Sequence, residues 1–176
     1  RDVQEEVGYT EEKGRKVFKP DGTYQKIAAV ERHKNTGKIG VGIVKGFGLR
    51  GGAIASSVSH DSHNLIVIGD NDHDMYLAVQ ELLRTQGGYT LVENGQVFDT
   101  LPLPIMGLMS DAGYEKVNEK LARMIPKAHE MGIPEGFDPF ITLSFMALPV
   151  IPEIRITPRG VYLTQEDRMI QSPFDR

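Results

Sequence analysis

The stretch AIASSVSHDSHNLIVI, residues 53–68, places a polar hexapeptide between two short apolar runs. The apolar runs, residues 53–58 and 65–68, have the length and composition of buried strands. The residues between them favour a turn, because Asp, Ser and Asn side chains bond to their own backbone. We therefore predict two strands joined by a loop that carries residues 59–64.

Strand-like runs recur in pairs along the chain, and each pair is separated by a short turn-forming segment. The predicted pairs are residues 26–32 with 39–45, 89–93 with 96–100, and 154–156 with 161–163. In the second pair, Asn94-Gly95 suits a type I′ turn because both residues tolerate positive φ. We predict a hairpin for each pair.

One segment has the apolar periodicity of an amphipathic helix. Its apolar residues share one helical face and are Met75, Ala78, Val79, Leu82 and Leu83. Asn71 or Asp72 can cap the first turn, and Gly87-Gly88 can end the helix in the left-handed conformation. We predict a helix between these two signals.

Two more helices are predicted in the second half of the chain. The first has an apolar stripe over residues 117–128, and we expect Pro126 to kink or split it because proline lacks a backbone N–H. Gly132 marks its end. The second covers residues 140–148 and follows Asp138-Pro139, which combines a capping residue with a favoured first-turn proline.

The order of strands, helix, strands, helices and strands predicts an α/β domain of the α+β type. Hairpins outnumber strand-helix-strand crossovers, so we expect a mixed, largely antiparallel sheet covered by two to four helices. The length of 176 residues fits one domain. We predict this domain over residues 25–163, after a charged, poorly structured lead-in at 1–24 and before a loosely held tail at 164–176. Since the chain starts with Arg1 rather than Met, we interpret its beginning as cut or processed.

Composition and charge exclude several classes of protein. The net charge of -4 and the pI near 5.7 argue against nucleic acid as a partner, because phosphate-backbone binding needs a basic face. The absence of cysteine excludes disulfides and thiolate catalysis and suits a reducing compartment. No apolar run approaches the roughly 18–20 residues that span a bilayer. We therefore expect no membrane association and predict a cytoplasmic protein.

The hexapeptide at residues 59–64 concentrates groups that carry chemistry. Its two imidazoles can ligate a metal or move protons near neutral pH, and its carboxylate can orient an imidazole or accept a proton. The candidate catalytic residues are His60, Asp61, Ser62, His63 and Asn64, with His33 at a strand end as a secondary candidate. The alternative is that the hexapeptide is an ordinary polar turn.

Two other patterns resemble binding motifs but fit structural roles better. Gly46-Phe47-Gly48-Leu49-Arg50-Gly51 has the spacing of a dinucleotide-binding loop, yet a strand rather than a helix is predicted after it. Asp70-Asn71-Asp72-His73-Asp74 resembles a calcium loop, but the glycine and closing glutamate of such a loop are missing. We predict a tight turn at the first pattern and the start of a helix at the second.

Several segments together resemble the C-terminal domain of microbial adenine deaminases, which are enzymes of the amidohydrolase type. Beside the hexapeptide, these segments are Glu31-Arg32-His33, Thr36-Gly37, Val44-Lys45-Gly46-Phe47-Gly48-Leu49, Gly52-Ala53-Ile54-Ala55-Ser56-Ser57-Val58, Leu101-Pro102-Leu103-Pro104-Ile105, Gly107-Leu108-Met109-Ser110, Asp138-Pro139-Phe140, Thr142-Leu143-Ser144-Phe145 and Ala147-Leu148-Pro149-Val150-Ile151-Pro152. They agree in order over residues 25–163. At Lys34-Asn35, directly after His33, the sequence departs from the pattern of this family.

The resemblance implies that a complete enzyme hydrolyses adenine to hypoxanthine and ammonia with a divalent metal, which is Mn, Fe or Zn. An N-terminal amidohydrolase barrel would hold this metal. No tightly bound cofactor is expected in this chain, and the isolated chain is expected to be inactive. The partners that the resemblance implies are the barrel, adenine and further copies in a homo-oligomer.

We expect the loop at residues 60–64 to close over the mouth of the barrel, where an imidazole would hydrogen-bond the purine or relay protons. One alternative is a purely structural domain that packs barrels together in an oligomer. Another is an independent metal-binding protein, in which the isolated chain would hold stoichiometric metal.

Overall fold

The computed structural model describes residues 7–170, which form three sheets and three helices. The strands are β1 (Tyr9–Glu12), β2 (Arg15–Phe18), β3 (Tyr24–Val30), β4 (Ile39–Lys45), β5 (Gly52–Ser56), β6 (Leu65–Gly69), β7 (Gly88–Glu93), β8 (Gln96–Pro102), β9 (Ile154–Thr157), β10 (Gly160–Leu163) and β11 (Arg168–Ile170). The helices are α1 (Asp72–Arg84), α2 (Tyr114–Glu130) and α3 (Pro139–Phe145). None of these three helices has the length and apolar composition that crossing a membrane requires.

The central element is a six-stranded sheet in the order β4-β3-β6-β5-β7-β8. Every pair of neighbours in this sheet is antiparallel. The hairpins predicted from β3 to β4, from β7 to β8 and from β9 to β10 are confirmed. Asn94 and Gly95 have φ values of 49° and 80° in the turn that joins β7 to β8. The prediction of an α+β domain with a largely antiparallel sheet is therefore confirmed.

Helices cover both faces of the central sheet. Side chains alternate between the faces along each strand, so each face presents apolar side chains that a helix can bury. Ile54 and Ile68 on β5 and β6 lie in a core cluster that includes residues of α2 and α3. Ala53 and Ala55 point to the other face and share a second cluster with Met75 of α1. The small alanine side chains let α1 lie close to the sheet.

α1 begins at the predicted capping signal. The Asn71 Oδ1 accepts a hydrogen bond from the backbone N of Asp74 at 2.8 Å. Asp72 and Asp74 lie in the first turn, where carboxylates interact favourably with the positive end of the helix dipole. The interpretation of residues 70–74 as the start of a helix is therefore confirmed.

α2 runs unbroken through Pro126, so of the predicted kink or split the split is wrong. Pro126 removes the hydrogen bond that a backbone N–H would donate to the carbonyl of Ala122. Both residues are exposed, so water can bond to the freed carbonyl. The helix continues because the missing hydrogen bond lies on its solvent-facing side.

α3 begins as predicted but ends earlier. The Asp138 carboxylate caps it by accepting hydrogen bonds from the backbone N of Phe140 and Ile141, each at 2.9 Å. The helix ends at Phe145 instead of Leu148. Leu148 precedes a proline, which disfavours helical geometry at the residue before it.

Both ends of the described chain are more ordered than we predicted. Residues 9–18, within the lead-in that we expected to be poorly structured, form the β1-β2 hairpin, and Phe18 at its end is buried. β11, within the tail that we expected to be loosely held, pairs with β10. All the side chains of β11 are exposed, so backbone pairing holds this strand without an apolar pattern. Residues 1–6 and 171–176 of the two predicted segments lie outside the described residues.

Candidate functional site

The hexapeptide lies in the loop between β5 and β6, at one end of the central sheet, as predicted. β3 and β6 are antiparallel neighbours, and Val30 at the end of β3 pairs with Leu65 at the start of β6. The residues that follow β3 therefore lie beside the residues that precede β6. This register brings Arg32 and His33 to the hexapeptide, although they are distant from it in the sequence.

Arg32 holds the hexapeptide loop to two other segments. Its Nε donates a hydrogen bond to the carbonyl of His63 at 2.5 Å, and its Nη2 donates to the carbonyl of Met106 at 2.7 Å. Its backbone N donates to the Asn64 Oδ1 at 3.3 Å. A Cβ at Gly107 would lie 2.7 Å from the guanidinium nitrogens, so a larger residue would displace Arg32, and the φ of 75° at this position also favours glycine. Burial lowers the pKa of Arg32 from its ordinary value.

His33 also contacts the loop. Its Nε2 lies 2.7 Å from the carbonyl oxygen of Ser62. A carbonyl oxygen only accepts hydrogen bonds, so the His33 Nε2 carries a proton and donates. The structure therefore brings the secondary candidate His33 to the hexapeptide, where it holds the loop through the backbone.

Glu31 organises the turn that carries His33. Its carboxylate accepts hydrogen bonds from the backbone N of His33 at 2.6 Å, of Lys34 at 2.7 Å and of Thr36 at 3.0 Å. The Thr36 hydroxyl also donates to it at 3.0 Å. These hydrogen bonds, above all that from the Thr36 backbone, lower the pKa of Glu31 to about 2. Glu31 is therefore an ionised structural group, and its oxygens are occupied.

The hexapeptide residues differ in their exposure. Ser59 and Asn64 at its ends are buried, and the backbone N of His63 donates to the carbonyl of Ser59 at 2.5 Å. Asp61 and Ser62 at the tip are exposed. Asn64 thus fixes the base of the loop, while the tip presents a carboxylate and a hydroxyl to the surroundings.

The two imidazoles of the hexapeptide belong to the residues on either side of the exposed tip, and they lie near each other. The ring centroids of His60 and His63 are 6.4 Å apart, and the His60 ring lies 5.1 Å from the ring of Phe145. Ser59 Oγ and His63 Nδ1 are buried and have no hydrogen-bond partner among the described residues. Such unpaired atoms are uncommon in folded proteins and call for a partner or a role in chemistry. Two imidazoles in this setting can hydrogen-bond a heterocycle or transfer a proton.

A cleft of about 440 Å³ opens beside the loop. Its walls are formed by Arg32, His33, His63, Gln86, Pro104, Met106 and Leu108. The polar groups are a guanidinium, two imidazoles and a carboxamide, and the rest of the wall is apolar. A small number of convergent polar groups in an apolar wall is typical of sites that bind small molecules, which measure roughly 300–1,000 Å³.

The other patterns singled out in the sequence do not join this site. The glycine pattern at residues 46–51 forms a loop that leads directly into β5, which confirms its interpretation as a turn. The carboxylate of Asp70 accepts hydrogen bonds from the backbone N of Gly51 at 2.5 Å and of Gly52 at 3.1 Å. Asp70 therefore stabilises the end of the glycine loop through these two hydrogen bonds.

No group of three or more His, Asp and Glu side chains within residues 7–170 is placed to hold a metal ion. The hexapeptide supplies two imidazoles and a carboxylate, but they do not converge on one point. These residues therefore do not fit a divalent metal by themselves.

Sequence reasoning missed several contributors to this site. It gave no role in the site to Arg32, Gln86, Met106 or Phe145. The signal in the sequence was position. Arg32 and His33 lie at the end of one predicted strand, and the hexapeptide lies at the end of another. That signal becomes useful only when the pairing of β3 with β6 is known.

Comparison with known proteins identifies relatives over almost the whole chain. Residues 2–168 match the family model described as the adenine deaminase C-terminal domain. The chain is 58% identical over 154 residues to an adenine deaminase of Desulfitobacterium hafniense, and the match covers 88% of this chain and 27% of that protein.

Two further relatives give the same picture. The identity to an adenine deaminase of Clostridium acetobutylicum is 51% over 149 residues, which are 83% of this chain and 26% of that protein. The identity to an adenine deaminase of Bacillus subtilis is 49% over 147 residues, which are 82% of this chain and 26% of that protein. The chain thus spans about a quarter of the length of the curated relatives that it matches.

Proposed function

Because this chain belongs to the adenine deaminase C-terminal domain family, we propose that it is part of an enzyme that hydrolyses adenine to hypoxanthine and ammonia. The named relatives support this reaction. Their lengths support a separate N-terminal domain, since the chain covers 27% of the Desulfitobacterium hafniense protein. We propose that this separate N-terminal domain is an amidohydrolase barrel that holds the divalent metal. The absence of cysteine supports a cytoplasmic location.

The proposed contribution of this chain is to cap the active site through the β5-β6 loop. The observation that carries the proposal is the way in which this loop is fixed. Arg32 and His33 hold its backbone carbonyls, while the side chains of Asp61 and Ser62 remain exposed at the tip. A loop that is held by its backbone presents its side chains in a defined geometry, as a contact over an active site requires.

In this arrangement the two imidazoles are the groups that would act on the substrate. His60 and His63 would hydrogen-bond the purine ring or relay a proton at its edge. The apolar side chains of Met106 and Leu108, which line the adjoining cleft, would exclude water from that edge. Arg32 is a positioning residue, because two of its guanidinium N–H groups donate to backbone carbonyls.

The second candidate function is a purely structural domain that assembles the enzyme into a homo-oligomer. The observation that favours it is a set of exposed large apolar side chains on α1 and β8. They are Tyr76, Leu83, Val97 and Phe98. Under this alternative the polar loop would have no part in the reaction.

The two candidates are separated by the variant Asp61→Ala/Ser62→Ala in the protein expressed from its complete coding sequence. Both side chains are exposed, so the substitutions leave the fold intact. If the loop caps the active site, we expect adenine turnover to fall by about tenfold while the mass by light scattering is unchanged. Unchanged turnover would support the structural alternative, in which the loop has no part in the reaction. Glu119→Ala on the exposed side of α2 is the control.

A further inference from the structure

A second cleft, of about 550 Å³, adjoins the same loop. It lies between the turn that joins β3 to β4, the β5-β6 loop and the small sheet of β9, β10 and β11. Ser62 and Asn64 of the loop form part of its wall, and His33 borders both clefts. Three distant segments of the chain therefore meet around one space.

The second cleft is positively charged, although the whole chain has a net charge of -4. Lys34, Lys38 and Arg159 line it, and they come from two different turns. Among the described residues of its wall the one carboxylate is Glu31, whose oxygens already accept four hydrogen bonds.

Within residues 7–170 no acidic side chain forms an ion pair with Lys34, Lys38 or Arg159. Three cations against one carboxylate leave an excess of positive charge along this wall, and such an excess attracts an anion. A phosphate group is an anion that offers several acceptor oxygens to Lys and Arg at once.

An apolar wall lies beside the cations. It includes Pro149, Pro158 and Tyr162. The Tyr162 hydroxyl donates to the carboxylate of Asp167 at 2.7 Å, which fixes the ring in place. A fixed aromatic ring beside prolines provides a flat surface for an organic ring, next to a place for its phosphate.

We propose that this cleft binds a small phosphate-bearing ligand, with Lys34, Lys38 and Arg159 around the phosphate. Its volume lies within the roughly 300–1,000 Å³ of small-molecule sites. The phosphate can come from a mononucleotide or from free inorganic phosphate. Because Ser62 and Asn64 form part of the wall, the ligand contacts the loop that the first cleft also borders.

Calorimetric titration of the protein expressed from its complete coding sequence tests this site directly, without a measurement of turnover. The probes are uridine monophosphate, inorganic phosphate and uridine, none of which is adenine. We expect saturable binding of the two phosphates, no binding of uridine, and weakening as sodium chloride is added. Tighter binding of uridine monophosphate would identify a mononucleotide as the ligand, and equal binding would identify free phosphate.

The variant Lys38→Gln/Arg159→Gln should weaken the binding of both phosphates by about tenfold or more, since it removes two charge-assisted contacts. Both residues are exposed, so the variant should fold. Lys116→Gln, an exposed lysine of α2, is the matched control and should bind like the parent. The proposal is overturned if neither phosphate saturates the protein by about 10 mM, or if the double variant binds like the parent.

Discussion

Arg32 connects the end of β3, the hexapeptide loop and the segment around Met106. The sequence identified the hexapeptide because its polar residues are concentrated between two apolar runs. It could not identify Arg32, because a charged residue at a strand end is usually solvated. The role of Arg32 depends on contacts between distant segments, and local sequence patterns do not encode such contacts.

The variant Arg32→Met keeps the length of the side chain but removes both donors to the loop carbonyls. We expect a loss of about 1–3 kcal/mol in the free energy of unfolding, because two partly buried carbonyls lose their partners. Hydrogen exchange should become faster in residues 59–64 and 103–109. Arg84→Met, an exposed arginine that pairs with Glu81, is the control and should cost about 0–1 kcal/mol. Equal effects of the two variants would contradict the role assigned to Arg32.

The low pKa of Glu31 predicts how the stability of the fold depends on pH. Its pKa is about 2 in the folded chain and 4.5 without its partners, so folding favours the ionised form. Its contribution to stability is therefore complete above pH 4.5 and is lost as the pH falls through about 2. In urea unfolding, Glu31→Gln should be less stable than the parent at neutral pH, and the difference should close over this acidic range. A difference that does not change with pH would show that the carboxylate charge has no part in the turn.

At the scale of elements, local signals predicted most of the fold. Asn94-Gly95 correctly predicted a hairpin, and Asn71 and Asp138 correctly predicted the starts of two helices. These predictions succeed because turns and caps depend on residues that are close in the sequence. The split expected at Pro126 does not occur, since Ala122 and Pro126 are exposed and water can bond to the freed carbonyl. Local sequence reasoning also failed at β11, whose pairing with β10 leaves no apolar pattern.

The packing of β4 against the β9-β10 hairpin depends on Gly40. A Cβ at this position would lie 1.9 Å from the carbonyl oxygen of Thr157 and 2.7 Å from the backbone N of Gly160. Backbone atoms cannot rotate away, so Gly40→Ala should destabilise the fold by about 1–3 kcal/mol or more in urea unfolding. Gly136→Ala is the control, since nothing lies within 4 Å of its added Cβ, and it should be neutral or slightly stabilising. Similar stability of the two variants would contradict this packing.

At the scale of the whole molecule, the sheet order determines which residues form the candidate site. The hairpins are local, but the pairings of β3 with β6 and of β5 with β7 join separate hairpins. The sequence predicted the hairpins without their order, so it placed the hexapeptide in a loop without its neighbours. Resemblance to a family supplied the identity that local patterns could not, and the family match confirms it.

The central claim is that the β5-β6 loop contributes to the reaction of the complete enzyme. It is tested most directly by steady-state kinetics of adenine hydrolysis by His63→Ala, in the protein expressed from its complete coding sequence. His73→Ala is the control, because its ring is exposed on α1. We predict that His63→Ala lowers kcat/KM by about tenfold or more while the control is unaffected. A folded His63→Ala enzyme with unchanged kcat and KM would contradict the account.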